Sequence, residues 1–182
     1  DRAAQFLLPV AREELAAWRR LTLAEGTGNE SARRLLAAFG LPQAIFSQTL
    51  QALEQVVSPQ KAADLTVEPE GLHALVETTW AWLQGVDESG RRRIVTLGDP
   101  AYPAPLLATD DPPLMLYMMG QELTPDALAR CVAIVGSRNP TAQGADNARQ
   151  FARALHAAGL TIVSGLALGV DAALVRLERP RN

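Results

Sequence analysis

Val132–Gly144 reads VAIVGSRNPTAQG. A short apolar run, one glycine and a Ser-Arg-Asn-Pro turn precede a helical stretch, which is how a nucleotide-binding βα unit begins. The second and third glycines of a dinucleotide fingerprint are missing, and an arginine stands in their place. The fold therefore turns on what phosphate-bearing ligand such a loop would hold.

Downstream of this loop, Ala148, Phe151, Ala152, Leu155 and Ala158 recur at helical spacing, and Gly159 is placed to end that helix. LTIVSG then reads as a second buried strand and GVDAALVRLE as the start of a further helix. The order β-α-β-α is half of a doubly wound sheet. Upstream, RIVTL and PLMLYMMG are extended runs, separated by a turn-rich stretch with Pro100, Pro103 and Pro105. The polar segment VDESGRRR, residues 86–93, reads as a linker.

Before it, residues 11–84 are helical in texture throughout. REELAAWRRL sets Leu15, Trp18 and Leu21 near one face, Gly40 is a natural stop for NESARRLLAAF, and Ser58-Pro59 interrupts the pattern. Trp80 and Trp82 are two apart and cannot share a helix face, so one is expected in the core and the other at its rim. The expected organisation is a small all-helical domain of four or five helices over 1–85. An α/β domain with a mostly parallel, Rossmann-like sheet follows over 86–182.

Two loops could carry chemistry. In GSRNPTAQG, Gly136 allows close backbone approach, Ser137 can donate a hydroxyl hydrogen bond, and Arg138 offers a charged fork for phosphate. In SGLALGVDAA, Ser164, Gly165 and Gly169 repeat the design after the next strand, and adjacent strands would put both loops on one edge of the sheet. Asp171 fits a stabilising carboxylate at a helix start better than a catalytic group. The bland alternative is that Gly136 and Pro140 only shape a turn and Arg138 is solvated.

A third stretch, LAEGTGNESARRLL, has the glycine spacing of a helix-hairpin-helix turn, with Arg33 and Arg34 close by. Glu25 and Glu30 flank those glycines and would repel phosphate, which favours a turn used for packing. No P-loop is present, and no acidic residue ends the second strand to hold a ribose diol. Neither His73 nor His156 lies beside a nucleophile in sequence, and the single cysteine, Cys131, opens an expected buried strand. The sequence predicts no cofactor, no metal and no catalytic residues.

Composition sets the frame for that site. Of 182 residues 48% are apolar and 20% charged, enough to build a core. The net charge of −3 argues against nucleic-acid binding by bulk charge. Its distribution is uneven: residues 131–182 carry six arginines against Asp146, Asp171 and Glu178, and the acidic excess lies before them. DRAAQFLLPV shows no signal-peptide core, no apolar run approaches a membrane span, and one cysteine suits a reducing compartment, so a cytoplasmic protein is expected.

Three stretches, in order, resemble the DNA-processing protein A family (DprA/Smf) of bacteria. TLGDPAYPAPLLATDDPPLMLYMMG resembles the family's approach to its Rossmann-like domain, VAIVGSRNPTAQG its first βα loop, and IVSGLALGVDAA its second. The helical part, with GTGNESARRLLAAFG, is similar to the sterile-alpha-motif-like domain that precedes the fold in many members. The resemblance implies a DNA-binding protein rather than an enzyme. Members bind single-stranded DNA during natural transformation, protect it and help load the recombinase RecA, alongside single-strand-binding protein.

The family's Gly-Ser-Arg motif falls on Gly136, Ser137 and Arg138, and its Ser-Gly motif on Ser164 and Gly165, with Gly169 in the following turn. Members continue beyond this point with a His-bearing helix, more strands and a basic second half of the pocket, where this chain reads LVRLERPRN from Leu174. The resemblance therefore implies an α/β domain cut short by truncation, deletion or a shifted frame, with the family's dimer contacts and much of its RecA surface in the remainder. The competing enzyme class is a nucleotide hydrolase of the lysine-decarboxylase-like phosphoribohydrolase type, related by fold analogy alone. It would need a catalytic Arg and Glu beyond residue 173.

Overall fold

Among the described residues six helices, where four or five were expected, fill the first part of the chain, and their boundaries follow local chemistry. A computed structural model places residues 10–85, 91–120, 128–165 and 167–175. Helix α1 spans Arg12–Leu23, α2 Asn29–Phe39, α3 Pro42–Phe46, α4 Leu50–Glu54, α5 Pro59–Thr66 and α6 Leu72–Gln84. Gly40 ends α2 at φ +85°, a conformation that costs a side-chain-bearing residue dearly. The Thr49 hydroxyl caps α4 by accepting from the Ala52 N–H. Ser58-Pro59 does break the pattern, by starting α5 with proline in its first turn.

The expected face of α1 is the heart of this unit. Leu15, Trp18 and Leu21 are fully buried, and α1 packs on α3 and α6. Trp18 and Leu21 join Leu35, Ile45, Leu53 and Leu65 in one apolar cluster. Trp80 and Trp82 are both half-buried, so the expected division into core and rim does not occur.

Strand β1, Arg91–Thr96, pairs antiparallel with β2, Met115–Gly120, and helix α7, Ala104–Leu107, lies in the connection. Leu114 is part of the helical cluster, and Leu97 and Met115 pack against it. The chain accordingly divides into compact units Asp1–Gln121 and Glu122–Asn182, later than the change of texture at residue 86. Arg91–Arg93, expected in a linker, are strand residues in the ladder with Met118–Gly120; residues 86–90 of that segment lie outside the described residues.

The loop before β2 is clasped to α2. Arg33 Nη1 donates to Asp111 Oδ1 at 2.6 Å and to the Pro112 carbonyl at 3.3 Å, while Asn29 Nδ2 reaches Asp111 Oδ2 at 3.0 Å. Arg33 is thereby committed to packing, as the acidic flanks of this turn suggested. Tyr102, whose hydroxyl is pushed up by burial and so stays protonated, donates to the Pro113 carbonyl at 2.7 Å.

The second unit holds β3 (Cys131–Ala133), α8 (Ala142–Ala157), β4 (Thr161–Val163) and α9 (Val170–Val175). β3 and β4 run parallel in register, Cys131 with Thr161 to Ala133 with Val163, and α8 makes the crossover. The expected β-α-β-α order is present. Among the described residues, however, the sheets are two separate pairs, because the connection between β1 and β2 carries only the single turn of α7 and returns the chain antiparallel. The strands are also barer than expected: Cys131 is exposed and Val135 is 74% exposed, since a two-stranded sheet buries little of its surface. Among the described residues no helix is long and apolar enough to cross a membrane.

Two outcomes follow. Leu35→Ala should cost about 2–5 kcal/mol in urea unfolding followed by tryptophan emission, because Leu35 is fully buried in the helical cluster; a change within error would remove it from the core. The hydrogen bonds from Arg33 and then Asn29 hold the Asp111 carboxyl below its usual range. A carboxyl lowered on folding stabilises above its unfolded pKa and loses that contribution as pH falls through the folded value. Asp111→Asn should therefore flatten the acid limb of stability below about pH 4. An unchanged acid limb would mean the clasp carries no pH-linked stability.

Candidate nucleic-acid interface

The first loop leaves β3 with its backbone hydrogen bonding intact, because the Ile134 N–H donates to the Val163 carbonyl at 2.9 Å. Beyond it the chain turns at Gly136–Pro140. The Ser137 hydroxyl oxygen accepts from the Asn139 N–H at 3.1 Å, which closes the turn and leaves the hydroxyl proton available to a ligand. Arg138 is exposed, and among the described residues no hydrogen bond or ion pair engages its guanidinium.

Thr141 then caps α8. Its hydroxyl accepts from the Gly144 N–H at 3.0 Å. The first amides of this sixteen-residue helix, Ala142 and Gln143, have no carbonyl one turn back to bond, and the partial positive charge of the helix start lies with them. Thr141 was not singled out from sequence, although a threonine three residues ahead of Gly144 at the onset of a helical pattern is an N-cap signal.

The second loop comes against the first. The Val170 N–H donates to the Ser137 carbonyl at 3.1 Å. Gly169 adopts φ +93°, and a Cβ there would stand 2.6 Å from the carbonyl carbon and oxygen of Arg138. A Cβ on Gly136 would in turn meet the Val170 side chain at 2.8 Å. The two glycines thus serve different ends: Gly169 admits the neighbouring backbone, and Gly136 admits Val170. Gly136, Ser137, Arg138 and Gly169 are brought together.

Ser164 and Gly165 occupy the end of β4, as expected, in a mixed environment. The Ser164 Oγ is shielded from solvent with no hydrogen-bond partner among the described residues. Asp171 stands in the first turn of α9, only 4% exposed, with Oδ2 3.4 Å from where a Cβ on Gly165 would be. A carboxylate so placed makes the Ser164–Gly165 side the less welcoming one for an anion. The cationic side is Gly136–Arg138 with the start of α8. Farther along α8, Arg149 is paired with Asp146 and so is partly neutralised. Of the six arginines after residue 130, Arg176, Arg179 and Arg181 lie outside the described residues.

Among the described residues no group of three or more His, Cys, Asp or Glu side chains is arranged to hold a metal ion. What the first loop offers is one neutral and one cationic hydrogen-bond donor on exposed residues, Ser137 and Arg138.

Gly169→Ala should force the two loops apart, at a cost above about 1 kcal/mol for the positive φ before any overlap is counted. Hydrogen exchange should speed up at the Val170 amide and leave α2 and α6 unchanged. Unaltered exchange at Val170 would show that the loops do not depend on this contact.

Comparison with known proteins bears on these loops directly. Residues 93–177 match the family model described as DNA recombination-mediator protein A. The chain is 40% identical over 82 residues to Protein Smf of Synechocystis sp., covering 44% of this chain and 21% of that protein. It is 34% identical over 126 residues to the DNA processing protein DprA of Bacillus subtilis, covering 69% of this chain and 41% of that protein. Protein Smf of Escherichia coli is 33% identical over 96 residues, 53% of this chain and 24% of that protein. The chain thus spans less than half the length of these relatives. The matched region contains both loops, from Gly136 to Gly169, and the chain belongs to the DNA-processing protein A (DprA/Smf) family.

Proposed function

We propose that this chain takes part in DNA processing for recombination by binding single-stranded DNA through the paired loops, with no catalytic step of its own. The observation that carries this is the exposed Arg138 guanidinium, unpartnered among the described residues, next to Ser137 in a loop held by Gly169 and Val170. A guanidinium fork and a hydroxyl donor match two oxygens of a backbone phosphate. Neither reads a base edge, so the contact would be indifferent to sequence.

Single strands suit the site better than a dinucleotide for a steric reason. Arg138 stands where a cofactor fingerprint needs a glycine, and the bulk of its side chain keeps a pyrophosphate from lying flat on the start of α8. A flexible strand can present one phosphate at a time, edge-on. Membership of the family supports RecA as the partner in whose loading the bound strand is used, with single-strand-binding protein on the same DNA, and supports action as a dimer in the cytoplasm.

Arg138→Ala should weaken binding of an oligothymidylate by about tenfold and lower the slope of log affinity against log salt by about 1. Fluorescence anisotropy over a salt series measures both. Equal affinity and slope in the variant and the natural chain would remove Arg138 from the interface. Release of free base from a nucleoside monophosphate would instead favour the phosphoribohydrolase class.

A further inference from the structure

In the first unit a second cluster joins guanidinium groups to bare aromatic surface. Tyr117 opposes Ile94 and Met119 opposes Arg92 in the β1–β2 ladder, so Tyr117, Met119 and Arg92 share one face of the hairpin. The Tyr117 hydroxyl lies 3.1 Å from the Oγ1 of buried Thr79 on α6. The ring of Trp82 meets that of Tyr117 edge-on, with centroids 5.1 Å apart at 66°. Arg19 of α1 stands 5.7 Å over the Tyr117 ring, and Arg92 stands 5.7 Å over Trp82 while donating to its carbonyl at 3.3 Å.

For all these contacts, Tyr117 is 47% exposed and Met119 58% exposed. The hydroxyl tether and the Trp82 contact fix the tyrosine ring, so an aromatic ligand stacking on it orders little that is not already ordered. Arg19 carries a cation without a counter-charge: its Nε is buried with no hydrogen-bond partner among the described residues, and no ion pair there engages it. Of the acidic residues on the packed helices, Glu77 is taken up by Arg12 and faces His73, leaving Glu13 and Glu14 at the far start of α1. A rigid ring bordered by guanidinium groups is the pairing that holds unstacked bases and their phosphates.

We propose that Tyr117, flanked by Trp82, Arg19 and Arg92, is a base-stacking contact for single-stranded nucleic acid, distinct from the Gly136–Arg138 loop. It rests on the single-strand reading of the chain and adds to it a contact with bases, where the loop offers only a contact with phosphate. The ligand class is an unpaired strand, because a base inside a duplex has no free face to lay on the ring.

The test is photocrosslinking of the whole chain to oligothymidylate carrying 5-iodouracil, with the adducts mapped by peptide mass, joined to anisotropy on variants. Adducts are expected on Tyr117 or Trp82. Tyr117→Ala should weaken binding by about fivefold or more, whereas Tyr117→Phe, which keeps the ring, should stay within about twofold of the natural chain. The phenylalanine variant and the adduct map decide the matter even where the alanine variant unfolds the hairpin. Adducts confined to residues after 130, with Tyr117→Phe and Tyr117→Ala both binding normally and Arg138→Ala impaired, would overturn the stacking contact and leave the loop reading intact. No binding of single strands by the whole chain would overturn both.

Discussion

The candidate site depends on the meeting of two backbones. Gly169 passes so close to Ser137 and Arg138 that a methyl group would not fit, and the Val170 amide seals the approach with a hydrogen bond to the Ser137 carbonyl. Each loop alone is a short turn on a three-residue strand, and each would be mobile on its own. Joined, they hold Ser137 in a closed turn and Arg138 pointing outward. The backbone that carries the guanidinium is then already ordered when it meets a phosphate, and the cost of binding is confined to the arginine side chain itself.

That arrangement separates phosphate recognition from cofactor binding. A dinucleotide site needs the helix start bare so that a pyrophosphate can lie against it. Here Arg138 replaces the glycine that would let a pyrophosphate approach, while buried Asp171 places a carboxyl beside Gly165. The site is therefore asymmetric, cationic on the first loop and acidic behind the second. The arginines of the helical unit divide in a similar way. Arg33 is spent on Asp111 and Arg12 on Glu77, while Arg19 and Arg92 lie over aromatic rings.

Much of this was legible in the residues, and the exceptions have physical causes. Leu15, Trp18 and Leu21 lie where helical periodicity put them, and Gly40 and Gly159 end their helices in the left-handed conformation that only glycine takes cheaply. The two small-residue loops could be recognised because each follows an apolar run and precedes a helical pattern. Their contact could not, since nothing local encodes that Gly169 abuts Arg138. Strand pairing was also hidden: RIVTL and PLMLYMMG read equally well in a parallel or an antiparallel sheet, and the length of regular structure between them decides which. The charged run at residues 91–93 concealed a strand because an arginine can be held in a partly buried strand through its guanidinium, as Arg92 is over the Trp82 ring.

The central claim is that a strand's phosphate sits at the joined loops. Backbone amide chemical shifts of the chain, recorded with and without a short oligothymidylate, test it most directly. The account predicts the largest changes at Gly136, Ser137, Arg138 and Gly169 and at the first amides of α8, fading as salt is raised. Changes absent from all of these residues while the oligonucleotide binds elsewhere on the chain would contradict it.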